Sequence, residues 1–492
     1  MSTAPPVLIS LAARLREHAA NQPDKPAVSD KDRALTWMQL DDRTDRIARG
    51  LLKAGVKHGD LVTVGLTNSV DFIEACWGLW KIGATPQPIS FRLPHIEADA
   101  IMALAETPIV IAGPSLRSQR RHYDIADLIA LDPGGPPPPD TVAPVWKAPT
   151  SGGSTGRPKL ILSGGQGVFL PPEIDPLRAW GMTGDDTVIV TGPLYHNGPF
   201  VTSISAVNMG AHLVILPRFD AEGTLAAIER HRGTWIYMVP TMMSRIWHLP
   251  PDIRTAYDVT SLRMLWHVAS PCPAWLKEEW INWLGADAVM ELYGGTEGQS
   301  ATVISGTEWL THRGSVGRPI MGEMRAVDAD GSTVQPGEIG EIYMRPTPGT
   351  PKTYTYRGAE ARTLDDGWES LGDIGWFDAE GYLYLSDRRT DMILVGGSNV
   401  YPSEIESALE EHPLVQSCAV IGLPDDDMGN LLHAIVQPRP GLDEAALRGH
   451  LSARLVSYKL PRTYEFVSEN IRDDAGKVRR SELREERMRK VT

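Results

Sequence analysis

The chain has 492 residues, too many for one hydrophobic core, so two or more domains are expected. Its 48 basic and 62 acidic residues leave a net charge of −14, which repels polyanions and argues against nucleic-acid binding as the main role. With 42% apolar and 22% charged residues the composition is that of an ordinary globular protein, and no apolar run approaches the roughly 20 residues that cross a bilayer.

The cysteines, Cys76, Cys272 and Cys418, are odd in number and far apart. That spacing indicates neither a disulfide framework nor a thiolate zinc site, and it fits a reducing, cytoplasmic compartment. At the N-terminus an apolar patch over residues 7–13 is followed by Arg14 and Arg16. A secretion signal carries its positive charge ahead of the apolar stretch, so a short amphipathic helix is expected instead.

Helix and strand patterns alternate through most of the first 390 residues. The spacing of Leu40, Ile47, Ala48 and Leu51 predicts a helix over 36–54, with Thr36 and Gln39 as a capping box and Gly55 just past the end. Residues 61–66, 186–190, 211–216 and 235–239 read as buried strands. A helix over 221–231, capped by Asp220, lies between the last two. Strand, helix, strand at this spacing predicts a parallel sheet covered by helices.

The run PGGPPPP at 133–139 can form neither helix nor central strand and is expected to be a surface connector. The short polar run 387–391 is a plausible interdomain joint. Beyond it Pro402 opens a helix that ends before Pro413, strands follow at 417–423 and 431–437, and Leu447, Leu451 and Leu455 share one face of a further helix. The expected architecture is α/β. A large N-terminal domain of parallel-rich sheets covered by helices (1–389) precedes a small mobile α+β domain (390–492).

The strongest chemical signal is TSGGSTGRPK at 150–159. Its glycines let successive backbone N–H groups turn toward one point, the hydroxyls add donors, and Lys159 adds charge, a combination that suits a polyphosphate. It has neither the GK[ST] of a P-loop nor the G-x-G-x-x-G of a dinucleotide site. On composition alone a flexible Gly/Ser linker stays open. The terminal Arg-Pro-Lys and the apolar Leu160–Leu162 after it favour a structured turn.

This loop resembles the phosphate loop of the adenylate-forming superfamily, which includes acyl-CoA synthetases, luciferases and peptide-synthetase adenylation domains. Further motifs of that superfamily follow in order: PLYHNG (193–198), YGGTEG (293–298), WESLGDIG (368–375), DRRTDMILVGGSNVYPSEIE (387–406) and AGKVRR (475–480). The resemblance implies that Thr150, Ser151, Gly152, Gly153, Ser154, Thr155, Gly156 and Lys159 cradle ATP phosphates. It places Tyr293, with Gly294 and Gly295, against the adenine, and Thr296 on the α-phosphate. Glu297 helps to hold Mg²⁺, a role suited to a hard oxygen ligand. Asp373 and Arg388 contact the ribose; an acceptor-only carboxylate is the right group for a diol. Gly396, Gly397, Ser398 and Asn399 line the pantetheine channel of coenzyme A. Lys477 bridges the carboxylate and α-phosphate, and His196 stands at the mouth of the acyl pocket.

The implied activity is that of an acid–CoA ligase in two steps. A small-molecule carboxylic acid becomes an acyl-adenylate at the expense of ATP, and the thiol of CoA then displaces AMP. The runs SGGSTGRPKLI and GTEWLTHRGSVGRP resemble ligases for bulky alicyclic, steroid, bile-acid or terpenoid acids, including platensimycin-type diterpenoid acids. Several positions depart from the superfamily pattern. Gly152 stands where Ser or Thr is common, VASPCP (268–273) replaces GGAPLP and puts Ala269 at a glycine position beside the adenine, Leu371 replaces a threonine, Thr390 occupies the hinge, and Asp473 and Asp474 approach Lys477. These departures leave open a thioester half-reaction alone, on an adenylate supplied by a partner ligase. Loading of a carrier protein instead of CoA and a non-catalytic nucleotide-binding scaffold are further alternatives. No membrane partner is indicated, and no oligomeric state follows from the sequence.

Overall fold

Short runs of β-branched and aliphatic residues, TVIV, HLVI, WIYM and MLWH, form the centre of a 14-stranded sheet. These strands are almost wholly buried, as expected where helices cover both faces of a parallel sheet. In the computed structural model, which describes residues 8–116, 118–152, 158–169, 180–364, 367–388, 391–395, 398–425, 428–473 and 476–491, Pro26–Ser29, His212–Ile215, Thr187–Val190, Trp235–Met238, Met264–His267 and Val289–Gly294 pair in that order, all parallel. From Ala301–Ser305 onward the sheet continues antiparallel through Ser315–Met321, Leu383–Arg388, Glu369–Phe377, Gly340–Arg345 and Glu323–Val327. A second, four-stranded parallel sheet centres on Leu61–Gly65.

The helix Trp37–Ala54 has Thr36 as N-cap, a complete capping box with Gln39, and Gly55 in the left-handed conformation at its end. Ala221–His231 is capped by Asp220. The N-terminal apolar patch feeds the helix Leu11–Asn21, capped by Ser10. Residues 133–139 form an irregular loop. Among the described residues no helix is long and apolar enough to cross a membrane, and all three cysteines are free.

The smaller C-terminal domain is a hairpin of Val415–Asp425 and Gly429–Pro438 with Thr463–Phe466 added in parallel. The helices Pro402–Glu410, Glu444–Ser452 and Arg480–Val491 accompany it. One expectation fails here. The helix carrying Leu447 and Leu451 stops at Ser452, so Leu455 lies in the following turn, where its N–H still bonds Leu451 O and its side chain still packs on the core. Asp387 and Arg388 also end a strand rather than open a linker, because Arg388 pairs with Asp373. The expected junction at 389–390 lies outside the described residues. The apolar clusters of the two parts share no residue: the largest runs from Leu11 to Tyr382 and the C-terminal one from Ile393 to Leu451.

Candidate active site

Four neighbouring parallel strands end at the same edge, and the loops that follow them line one cleft of about 2790 Å³. Val190 leads to Pro193 and His196, Met238 to Val239 and Met242, His267 to Val268–Pro273, and Gly294 to Gly295–Ser300. The carboxyl ends of parallel strands are where open α/β sheets bind ligands. The buried Asn68 pins the first loop: its amide donates to Gly192 O at 2.8 Å and its oxygen accepts from Leu194 N at 2.8 Å. Gly198 lets that loop close, since a Cβ there would lie 2.3 Å from the Tyr237 hydroxyl.

Thr150, Lys159, His196, Ala269, Tyr293, Gly294, Gly295, Thr296, Glu297, Asp373 and Lys477 all line the cleft. At the two ends of the expected phosphate loop, the strand Thr150–Gly152 pairs with Pro158–Ser163. Gly153, Ser154, Thr155 and Gly156 lie outside the described residues, as do the side chains of Ser151, Gly152, Arg388 and Asn399. Gly396 and Gly397 are also outside them. Ser398 is not among the described residues lining the cleft, although Ile393 and Leu394 of its own hairpin are.

Two contacts tie distant motifs together. The Tyr293 hydroxyl donates to Asp373 Oδ2 at 2.7 Å, joining the parallel half of the sheet to the antiparallel half. The Tyr356 hydroxyl donates to Glu297 Oε1 at 2.6 Å, and Lys159 Nζ lies 3.6 Å from that oxygen and 3.9 Å from the centre of the Tyr356 ring. Burial, and then the bond to Glu297, push the Tyr356 phenol well above its ordinary range, so it stays a donor. Tyr354, two residues along the same strand face, donates to Glu369 Oε2 at 2.7 Å, and Gln299 Nε2 meets the same oxygen at 2.8 Å. The sequence reading missed Tyr354, Tyr356 and Glu369; the alternation in TYTYR was the only signal of the two tyrosines, and Glu369 stood unremarked within WESLGDIG.

Glu297 is the single carboxylate offered for Mg²⁺ here, and among the described residues no group of three or more His, Cys, Asp or Glu could hold a metal. That donor set fits an ion which takes one or two protein carboxylates and completes its shell with phosphates and water. A Cβ on Gly295 would lie 2.4 Å from Leu371 and 2.8 Å from Glu297 Oε2, so a larger residue there would have to displace these two side chains. The departure at Leu371 thus places a side chain close to Gly295, beside Glu297.

Ala269 has φ +79°, a left-handed conformation that costs a side-chain-bearing residue about 1–2 kcal/mol. Ala269→Gly should therefore stabilise the protein by about 0.5–1 kcal/mol, after the greater chain entropy of glycine is subtracted. Chemical denaturation checks this, and a variant less stable than the parent refutes it.

Lys477 is exposed on a tight turn. Its N–H donates to Asp473 Oδ1 and its carbonyl accepts from Asp473 N, both at 2.9 Å. Asp473 therefore shapes the turn with its side chain. Asp474 lies outside the described residues. Gly476, at φ +76°, seats the turn on the N-terminal domain, where a Cβ would lie 3.0 Å from Thr241 Oγ1 and 3.3 Å from Val239.

Comparison with known proteins agrees with this geometry. Residues 15–355 match the family described as AMP-binding enzyme, and residues 404–477 match the AMP-binding enzyme C-terminal domain. A feruloyl-CoA synthase from Amycolatopsis sp is 32% identical over 96% of both chains. An indoleacetate–CoA ligase from Aromatoleum aromaticum is 31% identical over 97% of this chain and 98% of the other. The solved structure of o-succinylbenzoate coenzyme A synthetase from Bacillus subtilis with ATP and magnesium ion superposes with a TM-score of 0.79, at 25% identity, over 96% and 98% of the two chains. The chain belongs to the AMP-binding enzyme family, as an ATP-dependent acid–CoA ligase that uses Mg²⁺ and coenzyme A.

Proposed function

We propose that this ligase activates a bulky, rigid, ring-bearing carboxylic acid. The observation that carries the reading is an apolar wall, formed by Trp146, Phe169, Trp180, Met182, Val201 and Ile204, in the same cleft as His196 and Glu297. Its floor is stiff. The Trp180 ring packs 4.7 Å from Trp266 and 6.0 Å from Trp235, and its carbonyl accepts from both indole N–H groups, at 3.1 and 2.9 Å. A fixed aromatic surface favours a rigid ring over a flexible chain, which would lose rotamer freedom on binding. The aromatic acids named for the two relatives above support a ring, and the resemblance of the 151–161 and 306–319 runs supports an alicyclic one.

In this reading the carboxylate attacks the α-phosphate and pyrophosphate leaves; the thiol then attacks the acyl carbonyl and AMP leaves. Lys477 and the glycine-rich loop stabilise charge in the first step, and Thr296 orients the α-phosphate. Glu297 would hold Mg²⁺, which offsets phosphate charge. Tyr293 and Ala269 flank the adenine, Asp373 and Arg388 hold the ribose, and His196 guards the acyl mouth. Rotation of residues 390–492 against 1–389 would withdraw Lys477 and present Gly396 to Asn399 for the second step. The seating of Gly476 on Thr241 supports the first of these two arrangements.

The test is a panel of ferulic, indole-3-acetic, cholic, abietic and palmitic acids with ATP and CoA, followed by mass detection of acyl-CoA. The ring-bearing acids should exceed palmitate by about tenfold or more in kcat/KM, since each 1.4 kcal/mol of differential binding is a factor of ten. Preference for palmitate would overturn the reading. Parallel assays with synthetic acyl-AMP and CoA separate the two half-reactions.

A further inference from the structure

Lys147 is buried, 7% exposed, and lines the cleft. The other two buried lysines are each neutralised. Lys81 has Asp41 and Asp45 at 2.6 Å, and Lys277 has Glu291 at 2.6 Å. Among the described residues Lys147 has no carboxylate in salt-bridge contact. Its Nζ donates to the neutral Asn197 Oδ1 and lies 5.0 Å from the Trp146 ring centre. An ammonium taken out of water without a counter-ion is costly, and such groups persist where a ligand supplies the missing charge.

The surroundings sharpen the sign of that charge. Asn197 opens the 13-residue helix Asn197–Met209, whose N-cap is His196 and whose first turn receives no side-chain cap. The positive end of that helix therefore points to the place where the lysine sits. Two positive sources therefore converge. Burial pushes the ammonium down to about 7, and the Glu297 carboxylate acts against that loss. Lys147 thus contacts the residue next to His196 and feels the charge of Glu297.

We propose that Lys147, held by Asn197 at the uncapped start of the helix Asn197–Met209, is the seat for a carboxylate of the acid substrate. The proposal rests on the acid–CoA ligase reading given above. A carboxylate there accepts from the ammonium and faces the helix N-terminus, so it is positioned before it reacts. Lys477 arrives from the other domain, whereas Lys147 belongs to the domain that forms the acyl wall, so the acid can be held before the domains are arranged for transfer. The carboxylate is the reacting one or, in a diacid, a second one.

Calorimetric titration of the full chain with cinnamate and with 4-carboxycinnamate, at pH 7, tests this in the wild type, Lys147→Met and Lys147→Arg. Lys147→Met should weaken binding by about 10- to 100-fold, the range for a charged hydrogen bond, and Lys147→Arg should recover part of it. Equal loss for both acids assigns the reacting carboxylate; loss confined to the diacid assigns a second one. Lys147→Met should melt no lower than the wild type, because it removes a buried ammonium that no carboxylate among the described residues contacts. Unchanged affinity for both acids overturns the proposal. So does lost ATP affinity with acid affinity intact, or a wild type that binds neither probe. Titration needs no turnover, so an acid panel that yields no acyl-CoA overturns the ligase reading and leaves this result standing on its own.

Discussion

Replacing Lys477 with alanine is expected to slow acid-dependent pyrophosphate release by about 10²- to 10³-fold, the usual loss when one preorganised charge donor is removed from a transition state. Thioester formation from synthetic acyl-AMP and CoA should stay within about twofold of the wild type, because the lysine is proposed to meet only the charge that develops at the α-phosphate. The variant should fold normally: Lys477 is exposed, and the bonds that shape its turn are made by its backbone and Asp473. Unchanged pyrophosphate release would remove Lys477 from the mechanism. An equal fall in both half-reactions would make it a general binding residue.

The largest expected loss of stability is at Lys277, fully buried beneath the cleft. Its ammonium lies 2.6 Å from Glu291 Oε2, and Glu291 itself lines the cleft. His267 lies beside the pair. Burial, and then the Lys277 charge, hold its imidazole well below the ordinary range, and its Nε2 is 3.8 Å from Glu291 with no hydrogen bond. Lys277→Met should cost about 3–5 kcal/mol by leaving a buried carboxylate unpaired, and the double variant Lys277→Met/Glu291→Met should regain most of it. Urea denaturation reads both. A single variant within about 1 kcal/mol of the wild type would mean that water already reaches Glu291 through the cleft.

What the sequence revealed was local. Thr36, Gln39 and Gly55 bracket their helix within 20 residues, and caps are set by neighbours in the chain. The buried parallel strands stood out as continuous apolar runs. The antiparallel half of the great sheet did not, because most of its strands mix buried with half-buried residues and offer no continuous apolar run. Leu455 shows the limit of periodicity, since a residue can keep its place on a core after the helix has ended.

At the site, motifs identified residues that line the cleft but not the contacts that hold them. Tyr356 lies 59 residues from Glu297, and Asp373 lies 80 from Tyr293; nothing local links either pair. Lys147 was illegible for another reason. A lysine between Trp146 and Ala148 carries no motif, and only the fold reveals that it is buried, with no carboxylate among the described residues in salt-bridge contact.

The separation of the two apolar clusters, with no residue common to both, bears on the thermodynamics of turning one domain against the other. Heat capacity changes mainly when apolar surface is wetted or dried. A rotation that leaves both cores closed wets little of it, so its equilibrium constant follows a nearly constant enthalpy. Under the proposed rotation, the balance between the two arrangements would then drift smoothly with temperature, without the curvature that marks unfolding, and bound nucleotide or thiol would shift it at any temperature where the cores remain intact.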